Sequence, residues 1–166
     1  MSISRPPAHL VALALGLLSL ALMLGALGFE YLGGYPPCEI CMWQRYPHVA
    51  AIVVGLGGGL AVVAGRLGSG LGRLFAELAM VLVAISGLIG VYHAGVEWHF
   101  WAGPAACTGH AFQYTGTLDL NAHIVQCDTA AWRLFGISMA GYNALISLGA
   151  AGLAALALMR SQKKAS

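Results

Sequence analysis

The sequence is poor in charge. Only 8% of its 166 residues are Asp, Glu, Lys or Arg, whereas 59% are hydrophobic. A soluble domain usually carries about 25% charged residues, and a chain of this length cannot hide so much apolar surface in one core. The formal net charge is only +2 and the basic residues are scattered, which argues against a nucleic-acid partner. The composition therefore indicates a protein that lies in a lipid bilayer.

Charged residues are almost absent from four long apolar runs, at residues 10–29, 47–65, 74–92 and 134–159. A helix needs roughly 20 residues to cross the hydrocarbon core of a bilayer. No run alternates apolar with polar residues, so a β-barrel is excluded. The sequence predicts an all-α membrane protein, with a bundle of four transmembrane helices and a single integral membrane domain over residues 1–166.

The first run has to be distinguished from a cleaved signal peptide, because Arg5 precedes it. The apolar segment of a signal peptide has roughly 7 to 15 residues. The uncharged run here has 20 residues. We therefore expect a retained helix.

Small residues are spaced for close helix packing. Gly55 and Gly59 form a small-xxx-small pair in the second run. We expect this pair to serve packing within the bundle rather than dimerisation, which predicts a monomer. Arg73 and Glu77 are four residues apart at the start of the third run, and we expect them to form an ion pair at the membrane boundary.

The basic residues are distributed unequally between the two sides of the predicted bundle. Six of the eight fall on one side: Arg5, Arg66, Arg73, Arg160, Lys163 and Lys164. Only Arg45 and Arg133 fall on the other. By the positive-inside rule both termini are cytoplasmic. All four cysteines then lie outside, which in a bacterium is the periplasm, where disulfides form and persist.

Cys38 and Cys41 form a Cys-x-x-Cys pair in the stretch YPPCEICMWQR. Haem attachment would need a histidine directly after Cys41, where this chain has Met42. A zinc site would need a second close pair, but Cys107 and Cys127 are 20 residues apart. A redox-active dithiol fits best, and a static disulfide is the alternative. If a helix begins near Cys38, its amide groups would favour a thiolate there.

Arg45 follows Cys41 by four residues, so the two share a face if the helix is continuous. A cation there would favour a thiolate and could hold a quinone oxygen. The alternative role for Arg45 is that of an anchor whose charged head reaches the membrane surface. Pro47 either begins the second membrane helix afresh or kinks it.

The second outer segment, residues 93–133, is long. Its stretch TGTLDLNAHIVQ predicts a short helix on the membrane surface. A disulfide between Cys107 and Cys127 would close a loop between the two residues, and in the chain-entropy model it would stabilise the folded state by roughly 3 kcal/mol. The same pair could also exchange with the first pair through a mixed disulfide.

Three segments, PCEICMWQR, YHAGVEWHFWAGPAACTG and CDTAAWRLFGISMAGYN, resemble the bacterial DsbB family of disulfide bond formation proteins. The resemblance extends over nearly the whole chain and includes all four cysteines. It implies an inner-membrane enzyme, a protein-disulfide oxidoreductase that depends on quinone. The implied cofactor is ubiquinone or menaquinone, and the implied partner is a DsbA-like periplasmic thiol oxidase.

The resemblance also implies roles for single residues. Cys107 is similar to the residue that engages the soluble partner, and Cys127 to its disulfide mate. Cys38 resembles the thiol that exchanges with this second pair, and Cys41 the one that meets the quinone as a thiolate. On the quinone side the matching positions are Arg45, His93 and Met139. Of the other histidines, we expect His48, His99, His110 and His123 at the surface or at interfaces.

Two other functions are open at this level. One is a dithiol–quinone enzyme of the vitamin K epoxide reductase group, although the redox pair of that group lies near the end of its bundle. The other is a membrane module without enzymatic activity, whose cysteines bind a metal. Thiol states and metal content would distinguish these functions.

The unequal basic residues generate a prediction about topology. In a chain whose native cysteines are replaced by serine, Lys164→Cys should resist an impermeant thiol reagent in intact cells and react after lysis. Thr117→Cys, in the second outer segment, is the matched control and should react in intact cells. Labelling of Lys164→Cys from outside would contradict cytoplasmic termini.

Overall fold

Four helices of the computed structural model are long and apolar enough to cross a membrane. The structure describes residues 6–68, 70–105, 107–108 and 126–162. Its helices are α1 (Ala8–Tyr31), α2 (Glu39–Ile52), α3 (Gly59–Val63), α4 (Leu71–Glu97) and α5 (Met139–Gln162). A π-helical turn, Val53–Gly58, joins α2 to α3, so that these three segments form the second span. The predicted four-helix membrane fold is confirmed.

The interior of the bundle is built from small residues, while large apolar side chains point outward. Ala12, Ala76 and Ala79 are fully buried, whereas Leu17 and Val53 are more than half exposed. This is the pattern expected in lipid, where helices associate through close backbone approach and the tails solvate the large side chains. Helix α4 packs against α1, α2 and α5 and so forms the centre of the bundle.

The glycine pair of the second span packs against α1, as the sequence predicts. A Cβ on Gly55 would lie 2.6 Å from the carbonyl oxygen of Ala12. A Cβ on Gly59 would lie 2.6 Å from Cγ of Leu13. The predicted ion pair is also present, with 2.7 Å between Nε of Arg73 and Oε1 of Glu77.

Three predicted helix boundaries differ from the structure by five residues or more. The second span begins at Glu39 rather than at residue 47, because Cys38 caps the helix and Pro47 lies inside it. Helix α4 extends to Glu97, five residues beyond the predicted end. Proline removes one backbone donor from a helix interior, but the surrounding bundle tolerates this loss.

The fourth span begins at Met139 rather than at residue 134, because a hairpin precedes it. Strands β1 (Arg133–Leu134) and β2 (Ile137–Ser138) are antiparallel. Both residues of their turn, Phe135 and Gly136, have positive φ, which is the conformation of a tight two-residue hairpin loop. Oγ of Ser138 then accepts the backbone N–H of Gly141 at 3.2 Å and starts α5. The surface helix predicted within residues 115–126 lies outside the described residues.

Candidate active site

Cys38 lies at the first turn of α2 as its N-cap residue. Its Sγ accepts a hydrogen bond from the backbone N–H of Cys41 at 3.2 Å. Pro36 and Pro37 hold the preceding chain extended. The helix therefore begins where the Cys-x-x-Cys motif begins, which places Cys41 and Arg45 on one continuous helix. The expected shared face exists, since Pro47 follows it without breaking the helix.

The first pair is a dithiol, because both Cys38 and Cys41 are free cysteines. The side-chain hydrogen bond with Cys41 and the burial of Cys38 raise the pKa of the Cys38 thiol. The backbone amides at the helix start act in the opposite direction but are outweighed. The effect of the amides that the sequence argument predicts is therefore present, but the raised pKa favours the protonated form of Cys38.

Cys107 and Cys127 are joined by a disulfide, which is the pairing that the family resemblance implies. Both are buried, and they belong to one hydrophobic cluster with Cys38, Ile40 and Val96. The half-buried Cys41 packs against the edge of this cluster. The fold thus brings the two cysteine pairs together, although more than 60 residues separate them in the sequence.

His93 lies inside α4, one turn before the end of the helix, and is only 4% exposed. Its Nε2 is 3.5 Å from Sγ of Cys38 and 3.7 Å from Oε1 of Glu97. Its Nδ1 is 2.9 Å from Nε2 of Gln44. The ring therefore stands between the dithiol and the polar interior of the bundle, and does not cap the end of a helix.

Arg45 forms an ion pair with Glu30 at the end of α1, with 2.5 Å between Nη1 and Oε2. The two side chains are only 14% and 19% exposed, so the pair is largely withdrawn from water. One carboxylate oxygen engages only part of the guanidinium, which has five N–H donors. Arg45 is thus held in place while it retains the capacity to bind a further acceptor.

Five of the seven site residues singled out from the sequence line one cavity of about 370 Å³, and Cys107 and Cys127 are not among the residues that line it. Cys38, Cys41, Arg45, His93 and Met139 all contribute to its wall. Helices α1 and α5 supply much of the apolar part of the wall, including Leu22, Met23, Ala26 and Ile146. An apolar cavity with a few convergent polar groups is the usual form of a small-molecule site.

Several residues of this region are not identified from the sequence. His48, expected at a surface or interface, is buried and lies between Ser19 and Asn143. Gln44 and His48 are one helical turn apart on α2, as are Asn143 and Ser147 on α5. Polar residues at this spacing within apolar runs predict a buried polar stripe, and that signal could have identified them.

Glu97 is a second omission. It is 6% exposed at the end of α4, and its Oε2 has no hydrogen-bond partner within the described part of the chain. An unpaired buried carboxylate oxygen is costly, and such groups are found near functional sites. Of the other histidines, His99 is exposed as expected, whereas His110 and His123 lie outside the described residues.

Comparison with known proteins agrees with this geometry. Residues 8–157 match the family model described as "Disulfide bond formation protein DsbB". An uncharacterized protein of Rickettsia prowazekii (strain Madrid E) is 25% identical over 126 residues, which cover 72% of this chain and 69% of that protein.

Two relatives carry the name "Disulfide bond formation protein B". The one from Chromohalobacter salexigens is 46% identical over 69 residues, which cover 41% of this chain. The one from Burkholderia thailandensis is 39% identical over 75 residues, which cover 45% of this chain. The matched region spans only 40% of each of these two relatives. No solved structure matches the chain.

The geometry of the dithiol predicts unequal reactivity of its two cysteines. At neutral pH iodoacetamide should modify Cys41 at least about tenfold faster than Cys38, because one unit of pKa changes the thiolate fraction tenfold and Cys38 holds the proton. Mass spectrometry of singly alkylated protein, with the Cys107–Cys127 disulfide intact, measures the ratio. Preferential labelling of Cys38 would contradict the assignment.

Proposed function

This chain belongs to the DsbB family of disulfide bond formation proteins, and from that membership we propose that it reoxidises a DsbA-like thiol oxidase and passes the electrons to membrane quinone. The observation that carries the proposal is that one residue, Cys38, connects the second cysteine pair to the cavity. Cys38 lies in the cluster with the Cys107–Cys127 disulfide and also lines the cavity. A route for electrons from the second cysteine pair to the cavity needs a residue that belongs to both.

The proposed relay consists of two thiol–disulfide exchanges and one quinone reduction. The two thiols of the soluble partner first reduce the Cys107–Cys127 disulfide and become a disulfide themselves. The thiols of Cys107 and Cys127 then reduce a Cys38–Cys41 disulfide. The dithiol at Cys38 and Cys41 finally gives two electrons and two protons to quinone. Atoms and charges balance, and no other oxidant is needed.

The cavity suits a quinone by its chemistry. Its apolar wall from α1 and α5 fits an isoprenoid-substituted ring, while the Arg45 guanidinium and the His93 ring offer donors to carbonyl oxygens. A quinone bound there would supply the two-electron acceptor, and the protein would supply the pocket and the dithiol. Met139 would contribute apolar contact. Either ubiquinone or menaquinone meets this description.

The same arrangement supports different tasks for Cys38 and Cys41. Cys38 is buried within the cluster that contains the second pair, which favours it as the exchanging thiol. Cys41 is half-buried at the edge of the cluster and lines the cavity together with Arg45. Because Cys38 holds the proton, Cys41 is the better placed thiolate for the quinone step.

We place the protein in a bacterial inner membrane with the cysteines on the periplasmic side. The site is built at one end of the bundle, from the end of α1, the start of α2, the end of α4 and the start of α5. Arg66, Arg73 and Arg160 lie at the other end. The positive-inside rule makes that other end cytoplasmic.

A metal-binding module is the second candidate, and one observation favours it. Ligand atoms of Cys38, Cys41 and His93 lie within 4.8 Å of one another. A metal-bound histidine usually donates its other ring N–H to an acceptor. Here that other nitrogen, Nδ1, faces the amide nitrogen of Gln44, which is a donor. The arrangement opposes metal binding by His93, and the metal content of the purified reduced protein tests this directly.

The relay order is tested by separating its two ends. Cys107→Ala should reduce oxidation of the soluble partner to background, because the entry disulfide is lost, while quinone still oxidises the Cys38–Cys41 dithiol. Cys41→Ser should abolish quinone reduction. Partner thiols and quinone absorbance are measured in parallel on purified protein. Normal partner oxidation by Cys107→Ala would mean that the order is wrong.

Arg45→Met tests the proposed quinone contact, since it removes the charge and all five donors while keeping apolar volume. Loss of a charged hydrogen bond should raise the quinone KM roughly tenfold to a hundredfold. Arg45→Lys should restore part of the loss, because it offers a point charge without the planar fork.

Two controls accompany this measurement. Glu30→Gln removes only the ion pair, and Arg73→Met removes an equally paired arginine at the opposite end of the bundle. Arg73→Met should leave the KM nearly unchanged, and Glu30→Gln, which keeps the charge and donors of Arg45, should raise it less than Arg45→Met does. If Arg45→Met lowers protein stability and leaves quinone kinetics as they were, Arg45 is an anchor and not a ligand.

A further inference from the structure

A chain of hydrogen bonds runs through the interior of the bundle and ends at the dithiol. It links one polar residue to the next across all four spans, in the order Ser19, His48, Asn143, Gln44 and His93. The four distances are 3.1, 2.9, 2.8 and 2.9 Å in that order. Sγ of Cys38 lies 3.5 Å beyond the last ring.

Two backbone carbonyls fix the direction of this chain. Nδ2 of Asn143 is 3.2 Å from the carbonyl oxygen of Ser86, and Nε2 of Gln44 is 3.4 Å from that of Ile40. A carbonyl oxygen can only accept, so in both amides the nitrogen must face it. The side-chain oxygens then face the other way, and neither amide can be turned over without placing an oxygen against a carbonyl oxygen.

The orientation of Asn143 determines what its neighbours do. Its Oδ1 accepts from Nε2 of His48, so His48 carries its proton on Nε2 and its Nδ1 accepts from the Ser19 hydroxyl. Its Nδ2 donates to Oε1 of Gln44. Every link from Ser19 to Gln44 therefore points in the same direction, toward the dithiol.

The last links transmit this direction to His93. Because Oε1 of Gln44 is occupied by Asn143, Nε2 of Gln44 is the atom that faces Nδ1 of His93 and donates to it. His93 must then be a neutral imidazole that has no proton on Nδ1 and carries its proton on Nε2. That N–H is directed at Sγ of Cys38 and at Oε1 of Glu97.

We propose that Asn143 is a positioning residue which, through Gln44, fixes His93 in the Nε2–H tautomer and so presents a hydrogen-bond donor to the sulfur of Cys38. The proposal rests on the proposed function, because it gives this N–H a task in the exchange between the two cysteine pairs. Asn143 acts through its neighbours and needs no contact with a reacting atom.

The chemical reason lies in the charge that sulfur acquires during exchange. When Cys38 leaves a mixed disulfide with the second pair, its sulfur carries negative charge. An N–H donor aimed at that sulfur stabilises the charge in a site from which water is largely excluded. The opposite tautomer would aim a lone pair at the sulfur and oppose the same step. No proton has to move along the chain for this effect.

The first test is made on the unaltered protein. In protein labelled with ¹⁵N-histidine and held in lipid nanodiscs, ring nitrogen shifts distinguish the two tautomers, and the signals that vanish in His93→Phe identify His93. We expect His93 to be neutral with its proton on Nε2. A neutral ring with its proton on Nδ1, or a doubly protonated ring, would overturn the proposal whether or not any variant folds.

The second test removes Asn143. Asn143→Leu keeps the side-chain volume but leaves Oε1 of Gln44 without its donor. The ratio of the Nε2–H to the Nδ1–H tautomer of His93 should fall roughly tenfold, which is the effect of one hydrogen bond. The rate of exchange between the two cysteine pairs should fall by a similar factor. An unchanged tautomer ratio in folded Asn143→Leu would overturn the proposal.

Ser147→Ala is the matched control. Ser147 is one turn along α5 and donates to Oδ1 of Asn143 at 2.8 Å, but it is not a link in the chain to His93. Its loss leaves both carbonyl anchors in place, so the tautomer of His93 should stay as it is. A shift in Ser147→Ala equal to that in Asn143→Leu would mean that any loss of packing moves the ring, and would overturn the specific role of Asn143.

The readouts also separate this proposal from the proposed function. The tautomer is measured without quinone or a soluble partner. If the protein reduces no quinone but His93 responds to Asn143→Leu as expected, the positioning is correct and the function is wrong. If quinone reduction proceeds and the tautomer does not respond, the function is correct and the positioning is wrong.

Discussion

The structure depends on one constraint, which is that polar groups inside an apolar bundle must satisfy one another. In lipid there is no water to accept or donate in their place, and an unpaired group costs several kcal/mol by order of magnitude. Gln44 and Asn143 meet this constraint because their side-chain amides form hydrogen bonds with each other and with neighbouring groups on α4. These bonds connect α2, α4 and α5. The packing of the helices and the orientation of the buried polar side chains therefore depend on each other.

The same constraint governs the dithiol. Cys38 enters the bundle because the helix begins there, and its sulfur receives the Cys41 amide that the helix start would otherwise leave unpaired. Burial of this sulfur, together with its contact to the second thiol, keeps the proton on Cys38. One position in the fold therefore determines where α2 begins and favours the protonated form of Cys38. Both Cys38 and Cys41 line the cavity, and Cys41 is the more exposed of the two.

Glu97 is the exception to the rule of mutual satisfaction. Within the described part of the chain its Oε2 has no partner, although the carboxylate lies beside His93 and Arg133 donates to its backbone carbonyl at 3.4 Å. In contrast, Glu30 is neutralised by Arg45. Two carboxylates at the same end of the bundle thus have opposite environments. The unsatisfied one lies beside His93, which contacts Cys38, and a cost in stability at such a place can be offset by a role in chemistry.

The sequence by itself determined the class, the four spans and the Cys-x-x-Cys motif, and the family resemblance implied that Arg45, His93 and Met139 belong to one region. Composition, run length and motif are local properties, and they need no knowledge of packing. Only the tertiary structure decided which thiol holds the proton, where α2 begins, and that His48 and Asn143 are part of the interior. These depend on which atoms of distant segments face each other. A neutral amide or imidazole has no pattern in the sequence that says in which direction it donates, since that direction is set by two backbone carbonyls on α2 and α4.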